Sequence, residues 1–247
     1  VRRLVLLLAL ALVSCRTADP ALRKAFITPA DVEVAIAAEK SLAPNYEVLP
    51  GEGEAWFETL PGSGRVLIVA GHATAQTREG AMKVPDRGTG GLAVALNKLT
   101  GSPAIVTTRR SPSDPNYYDD NAFKEAVARL VDERRPVLVL DLHASHSLRP
   151  YDVDFGVMDG RSLLGREEWV TLLARLLREE GLMNLSRDYF PAAKNQTVTK
   201  FVSARGTPSI QVEISATLLD PGRDPLYGHR FAQLLQALTR FIQTIGK

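Results

Sequence analysis

The sequence predicts an α/β domain in three layers, α/β/α, built on a mainly parallel sheet. Three observations carry this reading. Pro136-Val-Leu-Val-Leu140 is a short apolar run with Val alternating with Leu, as in a strand buried on both faces. Arg65-Val-Leu-Ile-Val-Ala-Gly-His72 repeats that grammar and ends on a histidine. Strand-like and helix-like segments then alternate along the chain, which favours parallel pairing with helices on both faces.

A chain of 247 residues is long enough for one large domain with a real core. Composition is ordinary for a globular protein, without repeats or low-complexity tracts. A net charge of only +2 gives no electrostatic footprint for a nucleic-acid partner. The first fifteen residues stand apart. Arg2 and Arg3 precede an apolar run, Leu4 to Val13, too short to span a bilayer, which is the pattern of a secretory signal peptide. The run ends Leu12-Val13-Ser14-Cys15, which resembles a bacterial lipobox, and Cys15 is the only cysteine. The expectation is an exported lipoprotein of the bacterial envelope, with a signal peptide over 1–15 and its only membrane contact a lipid on Cys15.

Residues 16–39 read as a tether and a first helix, and 40–247 as a single catalytic α/β domain. The helix covers Pro29 to Glu39, with Thr28 as cap and Pro29 in the first turn. Residues 43 to 63 are turn-rich, the second buried strand follows at 65–72, and Ala73 to Arg87 reads as a polar loop. Gly88 to Lys98 has a helical pattern whose glycine-rich start allows close backbone approach to a ligand. A strand at Ala104 to Thr108 precedes a helix over Asn121 to Glu133, apolar at Phe123, Ala126, Val127, Leu130 and Val131. The strand from Pro136 is expected to break at Asp141, leaving Asp141, His143, Ser145 and His146 just past its carboxyl end, where open α/β sheets bind ligands. A strand at Asp154 to Met158, a helix at Glu167 to Glu180, a loop from Asp188 to Lys200, a strand at Ser209 to Ser215 and a helix from Tyr227 to Ile245 complete the chain.

Two of the four histidines, His72 and His143, end strands of the same kind with acids nearby. Two imidazoles and a carboxylate, with a position open for water, are the ligand pattern of catalytic zinc, although other divalent ions accept the same set. The acid is Asp86, at a helix start, or Glu79, nearer to His72 in the same loop. Glu213 interrupts the apolar strand Ile210-Gln-Val-Glu-Ile, so it either faces the open side of an edge strand or acts as a general base. Arginines 78, 87, 109 and 110 fall in loops after these strands, where a guanidinium can clamp a substrate carboxylate. His146 is placed to orient a substrate group or to lie in a surface turn.

At these residues the chain resembles the N-formylglutamate amidohydrolase family and, more loosely, zinc carboxypeptidase-like enzymes of the phosphorylase/hydrolase-like fold. Gly71-His72, Arg110 with Asp114-Pro-Asn116, Asp141-Leu-His-Ala-Ser-His-Ser147, Asp154-Phe-Gly-Val-Met-Asp-Gly160 and Gln211-Val-Glu-Ile-Ser215 are similar to that family's ordered segments. Asp86-Arg-Gly-Thr-Gly-Gly-Leu-Ala93 looks like the metal-acid segment of phage poly-γ-glutamate hydrolases, where the acid is Glu. Cell-wall N-acetylmuramoyl-L-alanine amidases share the order His, acid, His, late Glu. The resemblance covers residues 65 to about 220. It implies one zinc on His72, Asp86 and His143, Glu213 as the catalytic residue, and a substrate site including Arg78, Arg110, Asn116 and His146. The family's Asn-Arg pair is Asn116-Tyr117 here. The implied activity is hydrolysis of an amide bond in a small N-acyl amino acid or peptide. The alternatives are a cell-wall amidase or peptidase, and a non-enzymic binding lipoprotein on the same fold.

Overall fold

The computed structural model describes residues 25–247. The signal-peptide segment, Cys15 and most of the tether lie outside the described residues. A seven-stranded sheet has the order β1-β5-β2-β6-β9-β7-β8. Its centre is the parallel set β5 (Ala104–Thr107), β2 (Val66–Ala70), β6 (Leu138–Ser145) and β9 (Ser209–Ser215). β1 (Phe57–Leu60) runs antiparallel to β5 at one edge, and β7 (Val153–Gly156) runs antiparallel to β9. β8 (Leu185–Arg187) closes the other edge. This is the mainly parallel α/β sheet expected from the apolar runs.

The two faces of β6 have different fates. Leu138, Leu140 and Leu142 enter the larger core, formed with α2 (Thr89–Thr100), α4 (Glu167–Glu179) and α6 (Pro225–Ile245). Val139 enters the smaller core beneath α3 (Ala122–Arg134) and α5 (Val198–Ala204). Because side chains alternate along a strand, Asp141, His143 and Ser145 continue the face begun by Val139. They lie inside the strand, not beyond its end, and this corrects the expected break at Asp141. β9 repeats the arrangement: Ile210, Val212 and Ile214 face the larger core, while Gln211, Glu213 and Ser215 occupy the opposite face.

Five further elements were not expected. β1 arises in the turn-rich segment and β8 in a short exposed one. α5 begins inside the expected 188–200 loop, capped by the Thr197 side chain, which accepts from Lys200 N at 3.1 Å. The expected loop after His72 contains a hairpin, β3 (Gln76–Arg78) and β4 (Ala81–Lys83). Its two-residue turn, Glu79-Gly80, has φ of 52° and 75°, the left-handed pair that matches strand twist.

The glycines opening α2 serve packing. α1 (Pro29–Leu42) crosses them so closely that a Cβ on Gly91 would lie 2.5 Å from Ala35 O, and one on Gly90 would lie 2.4 Å from Leu42 Cδ1. No ligand occupies that approach; a helix does. Glu39 of α1 then caps α2, accepting from Gly88 N at 2.6 Å and from Gly91 N at 2.8 Å. Tyr46 donates its hydroxyl to the same carboxylate. A carboxylate satisfying two orphan N–H groups at the positive end of a helix dipole is a favourable arrangement. The boundary drawn at 39/40 therefore falls inside α1, a helix docked on α2. Glu39→Ala is expected to destabilise the protein by about 1–3 kcal/mol, lowering the thermal midpoint by about 3–8 °C in calorimetry.

Candidate metal centre and active site

His72 stands in the first turn beyond β2 and His143 near the end of the adjacent β6, with ring centroids 4.8 Å apart. The chain leaving β4 returns through Val84 and Pro85, and Asp86 N donates to His72 O at 2.8 Å. This places the Asp86 carboxylate between the rings, with Oδ2 2.9 Å from His143 Nδ1 and 3.6 Å from His72 Nδ1. One ligand atom from each of His72, Asp86 and His143 lies within 4.8 Å of the others.

The far nitrogens meet a second set of groups. Asp114, fully buried, accepts from His72 Nε2 at 2.8 Å and from Arg78 Nε at 2.8 Å. Around His143 Nε2 stand Asn116 Nδ2 at 3.0 Å and Asp141 Oδ1 at 3.2 Å. Asp141 Oδ1 lies off hydrogen-bond direction and has no other partner, so it is a buried acceptor left unsatisfied. Each imidazole thus presents Nδ1 to the cluster and Nε2 to a carboxylate, the outer arrangement that orients histidine ligands of metals.

Charges here are strongly coupled. Burial pushes the His72 pKa down, but Asp114 and Asp86 outweigh it and hold the ring protonated up to about 9. For His143 burial likewise opposes protonation, and Asp141, Asp86 and Glu213 raise the pKa well above 6.5. Burial opposes ionisation of Asp86, yet hydrogen bonds from both rings lower it to about 2. Asp114 is also held below its ordinary value, with His72 and Arg78 overcoming its burial. Glu213 goes the other way: burial, with the Asp86 and Asp141 carboxylates adding to it, lifts the group to about 7 against the pull of His143 and His72. It is opposite His143 in the β6–β9 register, and Gln211 Nε2 donates to its Oε1 at 2.9 Å.

Donor chemistry and charge both fit a divalent metal. The set is two imidazoles and one carboxylate, as in catalytic zinc sites. Four carboxylates, Asp86, Asp114, Asp141 and Glu213, surround two imidazoles, and only Asp114 has an arginine partner. A cation held by His72, Asp86 and His143 would offset that excess.

The cluster floors a cleft of about 670 Å³. Arg78, Asn116 and His146 line it, with His146 exposed on the rim. Arg78 is committed to Asp114, and Asn116 bridges His143 to α5, its Oδ1 accepting from Val198 N at 2.6 Å. Arg110 lies outside the cleft lining and donates to Thr77 Oγ1. Glu79 sits at the hairpin turn, accepting from Tyr117 OH at 2.6 Å, away from the histidines. Of the two candidate acids, only Asp86 reaches the ring nitrogens.

Several contributing residues escaped the sequence reading. Asp114 was noted only within the Asp114-Pro-Asn116 segment of the resemblance and given no role; its place after β5, beside β2, was the available signal. Asp154 is fully buried and accepts from Ser186 Oγ, Tyr189 N and Phe190 N, fixing the aromatic wall of the cleft. Lys124, also fully buried, donates to Asp119 and to Gln196 O, pinning the loop that carries Lys194 and Asn195.

No family model and no curated protein matches the chain. Solved structures do. N-formylglutamate amidohydrolase from Ralstonia eutropha JMP134 is 20% identical, with a TM-score of 0.50 over 78% of this chain and 97% of that one. The gene product Atu2144 from Agrobacterium tumefaciens is 13% identical, with a TM-score of 0.54 over 78% of this chain and 97% of that one. A bacteriophage poly-gamma-glutamate hydrolase is 16% identical, with a TM-score of 0.50 over 76% of this chain and 86% of that one.

In a chelator the raised pKa values have a definite consequence. Groups protonated more strongly folded than unfolded stabilise the fold below the unfolded pKa, and that contribution is lost as pH rises through the folded value. For His72 the window runs from 6.5 to about 9, and His143 and Glu213 act in the same direction. Asp86, with its lowered pKa, contributes its full stabilisation throughout that window. The thermal midpoint in EDTA is expected to fall by about 5 °C or more between pH 6 and pH 9; an unchanged midpoint would contradict the arrangement. The fold is shared with N-formylglutamate amidohydrolase and the phage poly-gamma-glutamate hydrolase at low sequence identity.

Proposed function

We propose that the protein is a metal-dependent hydrolase of amide bonds, with one zinc ion held by His72, Asp86 and His143 and Glu213 as general base. The observation that carries the reading is the sidedness of each imidazole: Nδ1 on the shared cluster, Nε2 beside a buried carboxylate. A lone structural histidine has no use for that pairing twice over. Asp86 supplies the carboxylate ligand in place of Glu79.

Zinc bound there supplies Lewis acidity, polarising the scissile carbonyl and making water acidic near neutral pH. The chain supplies the rest. Glu213, lifted to about 7, is matched to accepting a proton from water near neutrality and delivering it to the leaving nitrogen. Gln211 holds one oxygen of that carboxylate in place. Asp114 holds the His72 ring, Asn116 meets His143 Nε2 with Asp141 beside it, and Asp154 fixes the backbone of Tyr189 and Phe190 across the cleft. Arg149, stacked 5.6 Å from Tyr189 and 5.1 Å from Phe190, is the guanidinium at the cleft best able to meet a substrate carboxylate, because Arg78 is already paired.

The substrate class that fits is an N-acyl amino acid or peptide with a carboxylate near the scissile bond. A cell-wall peptide is the second reading, favoured by the envelope address read from Arg2, Arg3 and Cys15.

Metal analysis and turnover test this together. Wild type is expected to hold about one zinc per chain, and His143→Ala to lose it. Glu213→Gln is expected to keep the zinc while kcat on N-acyl glutamates or muropeptides falls by about 10²–10⁴. Absence of metal uptake in wild type would overturn the reading. Asp114→Asn, which preserves shape at His72 but removes the charge, is expected to weaken zinc binding by about 10–100-fold in a competition titration.

A further inference from the structure

The β3–β4 hairpin is held more firmly than a surface excursion needs to be. Tyr117 donates to the Glu79 carboxylate at 2.6 Å, and Glu79 N donates to Tyr118 OH at 3.1 Å. Arg78 binds Asp114 and lies 4.8 Å over the Tyr117 ring. On its inner side β3 is tied to the body: Thr77 N donates to Ser111 O at 2.9 Å, and Asp114 N to Thr77 O at 3.0 Å. The outer side of β4 is different. Ala81, Met82 and Lys83 are all exposed, and β4 pairs with no strand but β3 among the described residues. A fixed strand with a free edge is a template for another extended chain.

That template is aimed. Gln76 and Lys83 are register partners, so with Arg78 they share one hairpin face, and all three line the cleft. β4 runs through the exposed Val84 and the half-buried Pro85 straight into Asp86, so a chain paired along β4 has its next residues at the His72–Asp86–His143 cluster. The cleft also carries Lys83, Arg149 and Lys194, none of which pairs with an acidic side chain of the described residues. Met82 and Val84, 42% and 75% exposed, give the same edge an apolar component.

We propose that the free edge of β4 is a main-chain recognition strand that takes an extended, acidic peptide by β-addition and leads it to the metal cluster. The proposal rests on the amide-hydrolase reading for its catalytic meaning, but the docking itself needs no turnover. Main-chain pairing gives affinity and the side-chain pockets give selectivity, as in other strand-addition complexes. A single N-acyl amino acid is too short to use this edge, so the substrate class is narrowed to peptides with several residues on one side of the scissile bond.

The test uses a fluorescent eight-residue peptide alternating glutamate and threonine, bound to zinc-loaded Glu213→Gln protein and followed by anisotropy. A series of peptides, each carrying one N-methylated amide, is run beside it. Strand addition predicts a period of two: alternate N-methyl groups weaken binding by about tenfold, and those between have little effect. Lys83→Glu, a change on an exposed side chain, is expected to weaken binding of the unmodified peptide by about tenfold as well. Binding with that periodicity but no cleavage by wild type would support the docking edge and overturn the hydrolase reading. Cleavage of N-acyl amino acids with no peptide binding, or with binding indifferent to N-methylation, would overturn the docking edge and leave the hydrolase standing.

Discussion

The structure depends on the sidedness of two neighbouring central strands, β6 and β9. On one face each presents branched apolar residues to the larger core; on the other, the carboxyl half of each presents only polar ones. A buried strand carrying Asp141, His143, Gln211 and Glu213 faces a severe desolvation cost unless those groups meet one another or a ligand. Everything around the cleft answers that demand. Asp86 is brought back from the hairpin, and Asp114 and Asn116 from the turn after β5.

The answer is incomplete from protein groups alone, and the residue of imbalance is informative. Asp141 keeps an oxygen without a hydrogen bond, Glu213 is driven towards its protonated form, and both imidazoles are driven towards theirs. A cation among the ligand atoms would ease the strain on Glu213 and on both imidazoles, because it would favour anionic carboxylates and take the place of the protons on the Nδ1 atoms. The same electrostatic pressure that makes the site costly to fold makes it suited to holding a metal.

Much of this was legible in the residues. The central strands were plain because burial on both faces makes an apolar run, and His72 and His143 were found because each ends such a run. β1, β8 and the hairpin were not, since strands of three or four residues at exposed edges carry no periodic signal, and Glu79-Gly80 is not a turn pair that announces itself. The break expected at Asp141 came from treating polar residues as a strand's end; alternation within β6 shows that they were its second face. The glycines of α2 signalled close approach correctly, but the chain alone does not tell a helix from a ligand. Asp114 and Lys124 look like an ordinary turn acid and surface lysine, because burial by distant segments leaves no local mark.

The order of strands in the sheet also bears on how the protein comes into being. β9 comes after every other described strand in the chain, yet it lies between β6 and β7. Without it β6 would have an open margin and β7 with β8 would have nothing to join, so the sheet would be in two pieces. The candidate ligands at 72, 86 and 143 all precede β9 in the chain, while the carboxylate at 213 lies on it. Seating β9 is therefore what brings Glu213 opposite His143. Loss of the β9 pairing would split the sheet and take Glu213 away from the histidines in one event.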